Sequence, residues 1–281
     1  MTRPGMDRRL TPATDKVALT SIKGLVERAD YTDGSPARVT ADLADLLTAP
    51  DGARDRQLNF GADVTVIEQR GGWAFVQSAR DGYVGWVNAA HLGTDMPAVT
   101  HRVSAAATHV YPAADMKQRE LARLSVNARL SITAIEGRFA KLHGGGWIPV
   151  QAISDGFADD PVALAESLLG TPYLWGGNSR DGVDCSGLVQ AALHACGIAC
   201  PGDADLQERA FEPVSEIVRG DLLFWPGHVA MACGDGRMIH ATAWQMRVIH
   251  EDIAQGIARI DAAGDGPMRG ARRPPKKTIS L

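Results

Sequence analysis

Cys185 sits where a thiol can do chemistry. It lies in Asp184-Cys185-Ser186-Gly187, after the Pro/aromatic/Gly-rich run 171–177 and before an apolar pattern through Leu188, Val189, Ala192 and Leu193. That order predicts a loop turning into a buried helix with the cysteine in its first turn. Unpaired N–H groups and the positive end of the helix dipole favour a thiolate there. A free thiol titrates near ~8.5, so ionisation at neutral pH needs such help. Without a base nearby, the same residue reads as a structural thiol.

Two histidines supply the base. His228 opens the strand-like run His228-Val229-Ala230-Met231, and His240 stands near the end of Met238-Ile239-His240-Ala241, across the tight turn Gly234-Asp235-Gly236. Side chains on adjacent strands meet when they share a face. The assignment is Cys185 as nucleophile, His228 as base and then acid, and His240 as the group that sets the imidazole's tautomer and direction. The Cys185 backbone N–H and the Tyr173 hydroxyl are the candidate oxyanion donors. Asp184 is expected to shape the start of the helix rather than to catalyse. His228 and His240 also suit a metal, but no third ligand with good spacing accompanies them, so neither metal nor cofactor is expected. The other six histidines read as structural.

The elements that must position these groups fall into blocks. Residues 1–36 are polar, with one amphipathic candidate at 17–29, and read as an extension over the first domain. From 37 to 97, short β-type runs (Val64-Thr65-Val66-Ile67, Trp73-Ala74-Phe75-Val76, Tyr83-Val84-Gly85-Trp86-Val87) alternate with hairpin signals at Gly71-Gly72 and Asp81-Gly82. A fainter copy fills 98–156, with Leu130-Ser131-Ile132-Thr133, Phe139-Ala140-Lys141-Leu142 and Gly146-Trp147-Ile148-Pro149-Val150 in matching places. Such a repeat predicts two small all-β barrels. In 157–273, Asp160-Pro161 is a helix N-cap with Pro at N1, followed by an apolar face through Val162, Leu164, Ala165, Leu168 and Leu169. The Cys185 helix and the antiparallel strand runs from Leu222 follow it, which makes this block α+β. The basic stretch 269–277 and the tail 274–281 are expected to be loose.

Composition narrows the function classes. The chain has 281 residues, 45% of them apolar and 22% charged, with a net charge of -4. That balance argues against a nucleic-acid partner. No window offers the ~18 apolar residues of a membrane span. Arg3, Arg8 and Arg9 are not followed by an apolar core, so no signal peptide is read. Four scattered cysteines without C-x-x-C spacing fit a reducing setting. A cytoplasmic location is expected.

The motifs together resemble a known family. T-P-Y-L-W-G-G with D-C-S-G-L-V-Q, G-D-L-L-F-W with G-H-V-A-M, and M-I-H-A look like the NlpC-type papain-like cysteine peptidases. The resemblance covers about residues 160–273 and places the family's Cys–His–His triad on Cys185, His228 and His240. It implies a papain-like α+β domain, helices packed on an antiparallel sheet. G-W-x-x-V followed by G-Y-x-G-W-V resembles bacterial SH3-like domains. The whole layout is similar to dipeptidyl-peptidase VI type enzymes, gamma-D-glutamyl-L-diamino acid endopeptidases. Such enzymes imply cleavage of L-Ala-γ-D-Glu from a diamino acid such as meso-diaminopimelate in short murein peptides with a free N-terminal L-alanine. In that group a tyrosine of the first SH3-like domain and an acidic residue after the catalytic helix hold the amine. Tyr83, Ser186 and Asp203 match those places. The group's P-R-D-S-D-like segment reads Pro201-Gly202-Asp203-Ala204-Asp205 here, so an arginine and a serine are missing. A thiol amidase or acyltransferase on the same scaffold, and a non-catalytic wall-peptide binder, stay open as alternatives.

Overall fold

The computed structural model describes residues 6–276. In the first β unit seven strands form one sheet, ordered Arg54–Asn59, Leu43–Leu47, Val84–Asn88, Trp73–Ser78, Asp63–Arg70, Ser35–Val39, Leu92–Gly93. Alternate side chains meet in a core of Val39, Leu46, Val64, Val76 and Val87. The opposite face buries Phe75 and Trp86 together with Leu19 of the N-terminal segment. The amphipathic candidate at 17–29 is not one continuous element. It begins with the strand Val17–Leu19 and the single 3-10 turn Thr20–Ile22. The sheet claims the apolar side chains of Val17 and Leu19, and Gly24, at φ 86°, breaks any helical run.

The second unit echoes the sequence of the first but not its continuous sheet. It forms separate sheets of three, two and three short strands around Val103, Leu124, Leu130, Ala140 and Ile148. A bulge between Ile132 and Ala134 interrupts the ladders, as does the run Gly144, Gly145, Gly146, all at positive φ.

The third unit carries the thiol. Its six-stranded antiparallel sheet is ordered Glu212–Val214, Gly270–Arg273, Leu222–Trp225, His228–Gly234, Arg237–Thr242, Arg247–Asp252. Helices α1 (Pro161–Ser167) and α2 (Cys185–Ala195) cover one face, over Leu222, Phe224, Met231 and Ile239. The alternate residues Leu223, Trp225 and Met238 face the other way, against Ile260 of a C-terminal helix, Ile253–Ala262. Every residue of α2 is buried. Asp184 caps it, its carboxylate accepting from Gly187 N at 2.6 Å. The stretch from Arg269, expected to be loose, is instead partly ordered. Gly270–Arg273 is an inner strand, and Arg273 donates to both oxygens of the buried Asp221 at 2.7 and 2.8 Å. Residues 277–281 lie outside the described residues.

Candidate active site

Sheet register brings the two histidines together. Met231 pairs with Ile239, which sets His228 diagonally across from His240 on the same face. His228 Nε2 lies 2.9 Å from His240 Nδ1. His240 is fully buried, and its Nε2 lies 3.1 Å from Glu251 Oε2. Arg259 of the C-terminal helix donates to both Glu251 oxygens at 2.8 and 2.7 Å. That guanidinium holds the Glu251 carboxyl below its usual range, so it is ionised at neutral pH. An ionised Glu251 accepts only. A proton on His240 Nε2 suits the Glu251 charge 3.1 Å away, although the pair lies outside hydrogen-bond geometry, and it leaves the Nδ1 lone pair to His228. His228 in turn donates from Nε2 and keeps Nδ1 as a free base. Neither Glu251 nor Arg259 was legible as a site residue. Each stands in an element whose inner face only the assembled sheet defines.

The protonation states differ from the sequence expectation. Burial pushes the Cys185 thiol up to about 12, and the Asp184 carboxylate adds to this. The backbone N–H groups of Val229, Ser186 and Cys185 pull the other way, and burial outweighs them. Burial, then the neighbouring His240, lowers His228 to about 3. Burial also lowers His240 to about 4, against the opposing pull of Glu251. The resting site thus holds a neutral thiol and neutral imidazoles rather than a preformed thiolate. Cys185 Sγ points to the carbonyl of Gly227, the residue before His228, at 3.9 Å.

Cys185 opens on a cavity of about 450 Å³. Tyr173 and Trp175 line it from the preceding loop, and Tyr83 lines it from the first β unit. The Tyr173 hydroxyl stays protonated, raised first by burial and then by Cys185, and it has no hydrogen-bond partner among the described residues. It is free to donate.

The far end of the cavity is ionic. Asp203 stands in the sparsely populated region at φ 59°, ψ 141°. The Tyr83 hydroxyl donates to its Oδ2 at 3.0 Å. Arg9 Nη1 donates to the same oxygen at 2.7 Å, and Arg56 Nη1 donates to Oδ1 at 3.1 Å. Arg56, only 3% exposed, also reaches Gln190 Oε1 at 3.0 Å and Ser186 Oγ at 3.4 Å. A Cβ on Gly202 would come within 2.9 Å of the Arg56 side chain. The glycine that departs from the family pattern thus makes room for a guanidinium delivered by another stretch. Arg9 also binds Asp7 and Asp205, and the latter falls to about 2, chiefly through Arg9. The segment read as an extension over the first domain also lines the cleft. Its signal, Arg8-Arg9, was visible only as charge. Elsewhere, Glu166, Cys233 and His250 cluster, but Cys233 meets Nδ1 of His250 and Glu166 meets its Nε2.

Comparison with known proteins adds the following. The family model described as NlpC/P60 family matches residues 170–259, and that described as bacterial dipeptidyl-peptidase SH3 domain matches residues 46–92. A gamma-D-glutamyl-L-lysine dipeptidyl-peptidase of Bacillus subtilis is 32% identical over 213 residues, 66% of this chain and 71% of that protein. The protein of the same name from Bacillus cereus is 29% identical over 225 residues, 66% of this chain and 67% of its own length. The crystal structure of an NlpC/P60 family protein from Bacillus cereus superposes with a TM-score of 0.73 at 24% identity, over 85% of this chain and 99% of that one. That likeness shows the fold.

Proposed function

This chain belongs to the NlpC/P60 family of peptidases, with an SH3-type domain in front, and from that membership we propose that it is a cysteine peptidase of short cell-wall peptides. It hydrolyses the bond between γ-D-glutamate and a diamino acid when the peptide begins with a free L-alanine. The third residue is meso-diaminopimelate or, as the relatives' name suggests, L-lysine. The reading rests above all on one observation. A single cavity joins Cys185 to Asp203, a carboxylate held by Tyr83 of a different unit. A carboxylate at a closed cleft end pairs with an ammonium and excludes longer or acylated chains.

In this mechanism substrate binding expels water, and His228 Nδ1 takes the Cys185 proton. The sulfur attacks the γ-carbonyl carbon. The Cys185 N–H and Tyr173 hydroxyl hold the oxyanion. His228 then protonates the leaving amine, and water resolves the thioester with the same imidazole as base. The SH3-like reading of residues 98–156 belongs to this proposal, as does a cytoplasmic recycling role, which the four free cysteines support.

The test is incubation with L-Ala-γ-D-Glu-meso-diaminopimelate and its N-acetylated form, with products identified by mass spectrometry. The free peptide yields L-Ala-γ-D-Glu, and the acetylated peptide stays intact. Equal cleavage of both overturns amine recognition. Activity retained in Cys185→Ala overturns the nucleophile, and a different product would favour an amidase or acyltransferase.

A further inference from the structure

A peptide of this kind brings two charges into the cleft. A glutamyl residue linked through its γ-carboxyl keeps its α-carboxylate free, close to the N-terminal ammonium. Asp203 answers the ammonium. The carboxylate needs a cation, because the cavity is otherwise lined by Asp7, Asp55, Asp184, Asp203 and Asp205. An anion brought among carboxylates that already hold their own partners needs a cation with donors to spare. The only cations in that lining are Arg8 and Arg9.

The two arginines are not equivalent. Arg9 is saturated, its Nε, Nη1 and Nη2 donating to Asp7, Asp203 and Asp205. Arg8 donates only to Asp55, at 2.6 and 2.9 Å, and its side chain is 65% exposed. Its remaining N–H groups have no partner among the described residues. Asp55 is itself fixed against the catalytic unit. Gly176, at φ 69°, lies so near that a Cβ there would stand 2.6 Å from Asp55 O. Two residues on, Asn178 N donates to Gln57 Oε1 at 3.1 Å. The strand carrying Asp55 is therefore clamped to the loop that leads into Cys185. One edge of the Arg8 guanidinium is held by Asp55, and the other edge is open.

We infer that Arg8 is a specificity-determining residue that binds the free α-carboxylate of the γ-linked acidic residue. The inference rests on the reaction proposed above and adds a recognition group to it. Arg8 precedes both stretches that match family models. A charge-assisted contact of this sort separates an acid from its amide at the second residue.

The test uses Cys185→Ala protein and two dipeptides without a scissile bond, L-Ala-γ-D-Glu and its α-carboxamide, titrated by calorimetry. The acid binds about tenfold more tightly than the amide. Arg8→Gln in the same background removes that preference by weakening the acid alone. In the intact enzyme, Arg8→Gln raises KM for the acidic tripeptide about tenfold and leaves kcat within about twofold. A preference that survives Arg8→Gln overturns the inference. So does equal weakening of both dipeptides, which would mark Arg8 as a structural partner of Asp55. If the intact enzyme cleaves the tripeptide with no preference for the acid, this assignment falls alone. If it neither binds nor cleaves, the reaction falls and takes the assignment with it.

Discussion

Cys185 opens α2, and His228 and His240 stand diagonally on adjacent strands of the sheet that α2 covers, all three largely buried. Arg9, Arg56, Tyr83, Asp203 and Asp205 meet at the other end of the same cavity from three separate parts of the chain, and most of them are ionised. At the first end, burial keeps the reacting groups neutral until substrate arrives. At the second, guanidinium–carboxylate pairs preserve charge in a place closed on several sides. Chemistry is positioned by packing, which depends on close fit, and selection is positioned by ion pairs, which depend on each partner's presence.

That contrast can be broken first at Arg56. Arg56→Met removes a buried guanidinium from Asp203, Gln190 and Ser186 at once. The loss of one buried partner costs about 3 kcal/mol of stability, read from urea unfolding, and KM for the free-amine peptide rises. A cost within about 0.5 kcal/mol would mean that the ionic end is a surface arrangement.

Acid sharpens the contrast, because the two ends titrate in different windows. His228 and His240 fall to about 3 and about 4 in the folded chain, against an unfolded value of 6.5. Between those limits the unfolded chain binds more protons, so stability is full above about 6.5 and declines as pH falls toward the folded values. At pH 4.5 the two histidines together account for a loss of about 5 kcal/mol relative to pH 7. The depressed carboxylates of the ionic end, such as Asp205 at about 2, lose their contribution only as pH falls below their ordinary value. The buried His194 is also lowered and responds in both proteins compared. A His228→Asn, His240→Asn double variant should therefore lose clearly less stability between pH 7 and 4.5 than the wild type. Equal losses would place the acid sensitivity elsewhere.

The smallest expected effect probes the carboxylate beside His240. Glu251→Gln keeps the shape but loses the full charge that sets the His240 tautomer. We expect kcat to fall about tenfold with KM unchanged. A change in KM instead would tie Glu251 to binding.

The same contrast governs what could be read from sequence. Cys185, His228 and His240 sit in local patterns, a helix start and two strands, and those patterns survive into the fold. Arg56 lies in Arg-Asp-Arg-Gln-Leu-Asn, where nothing local says which charged side chain turns inward. The answer comes from contact with α2, more than a hundred residues away. Arg8 and Arg9 carry no periodicity at all. Val17 and Leu19 of the amphipathic candidate at 17–29 pack on a sheet, and Arg272 and Arg273 looked like a loose basic tail until Asp221 and a strand claimed them. In each case tertiary contact overrode a weak local preference.

The strand Gly270–Arg273 has a further consequence, in time rather than space. It lies inside the catalytic sheet, between Glu212–Val214 and Leu222–Trp225. A ribosome delivers the thiol and both histidines well before it delivers this strand. Until residue 273 has emerged, Leu222–Trp225 has a bare edge, and the platform beneath His228 is unfinished. Such long-range pairing forms late. The nascent chain therefore carries Cys185, His228 and His240 through synthesis before the sheet beneath the histidines is complete.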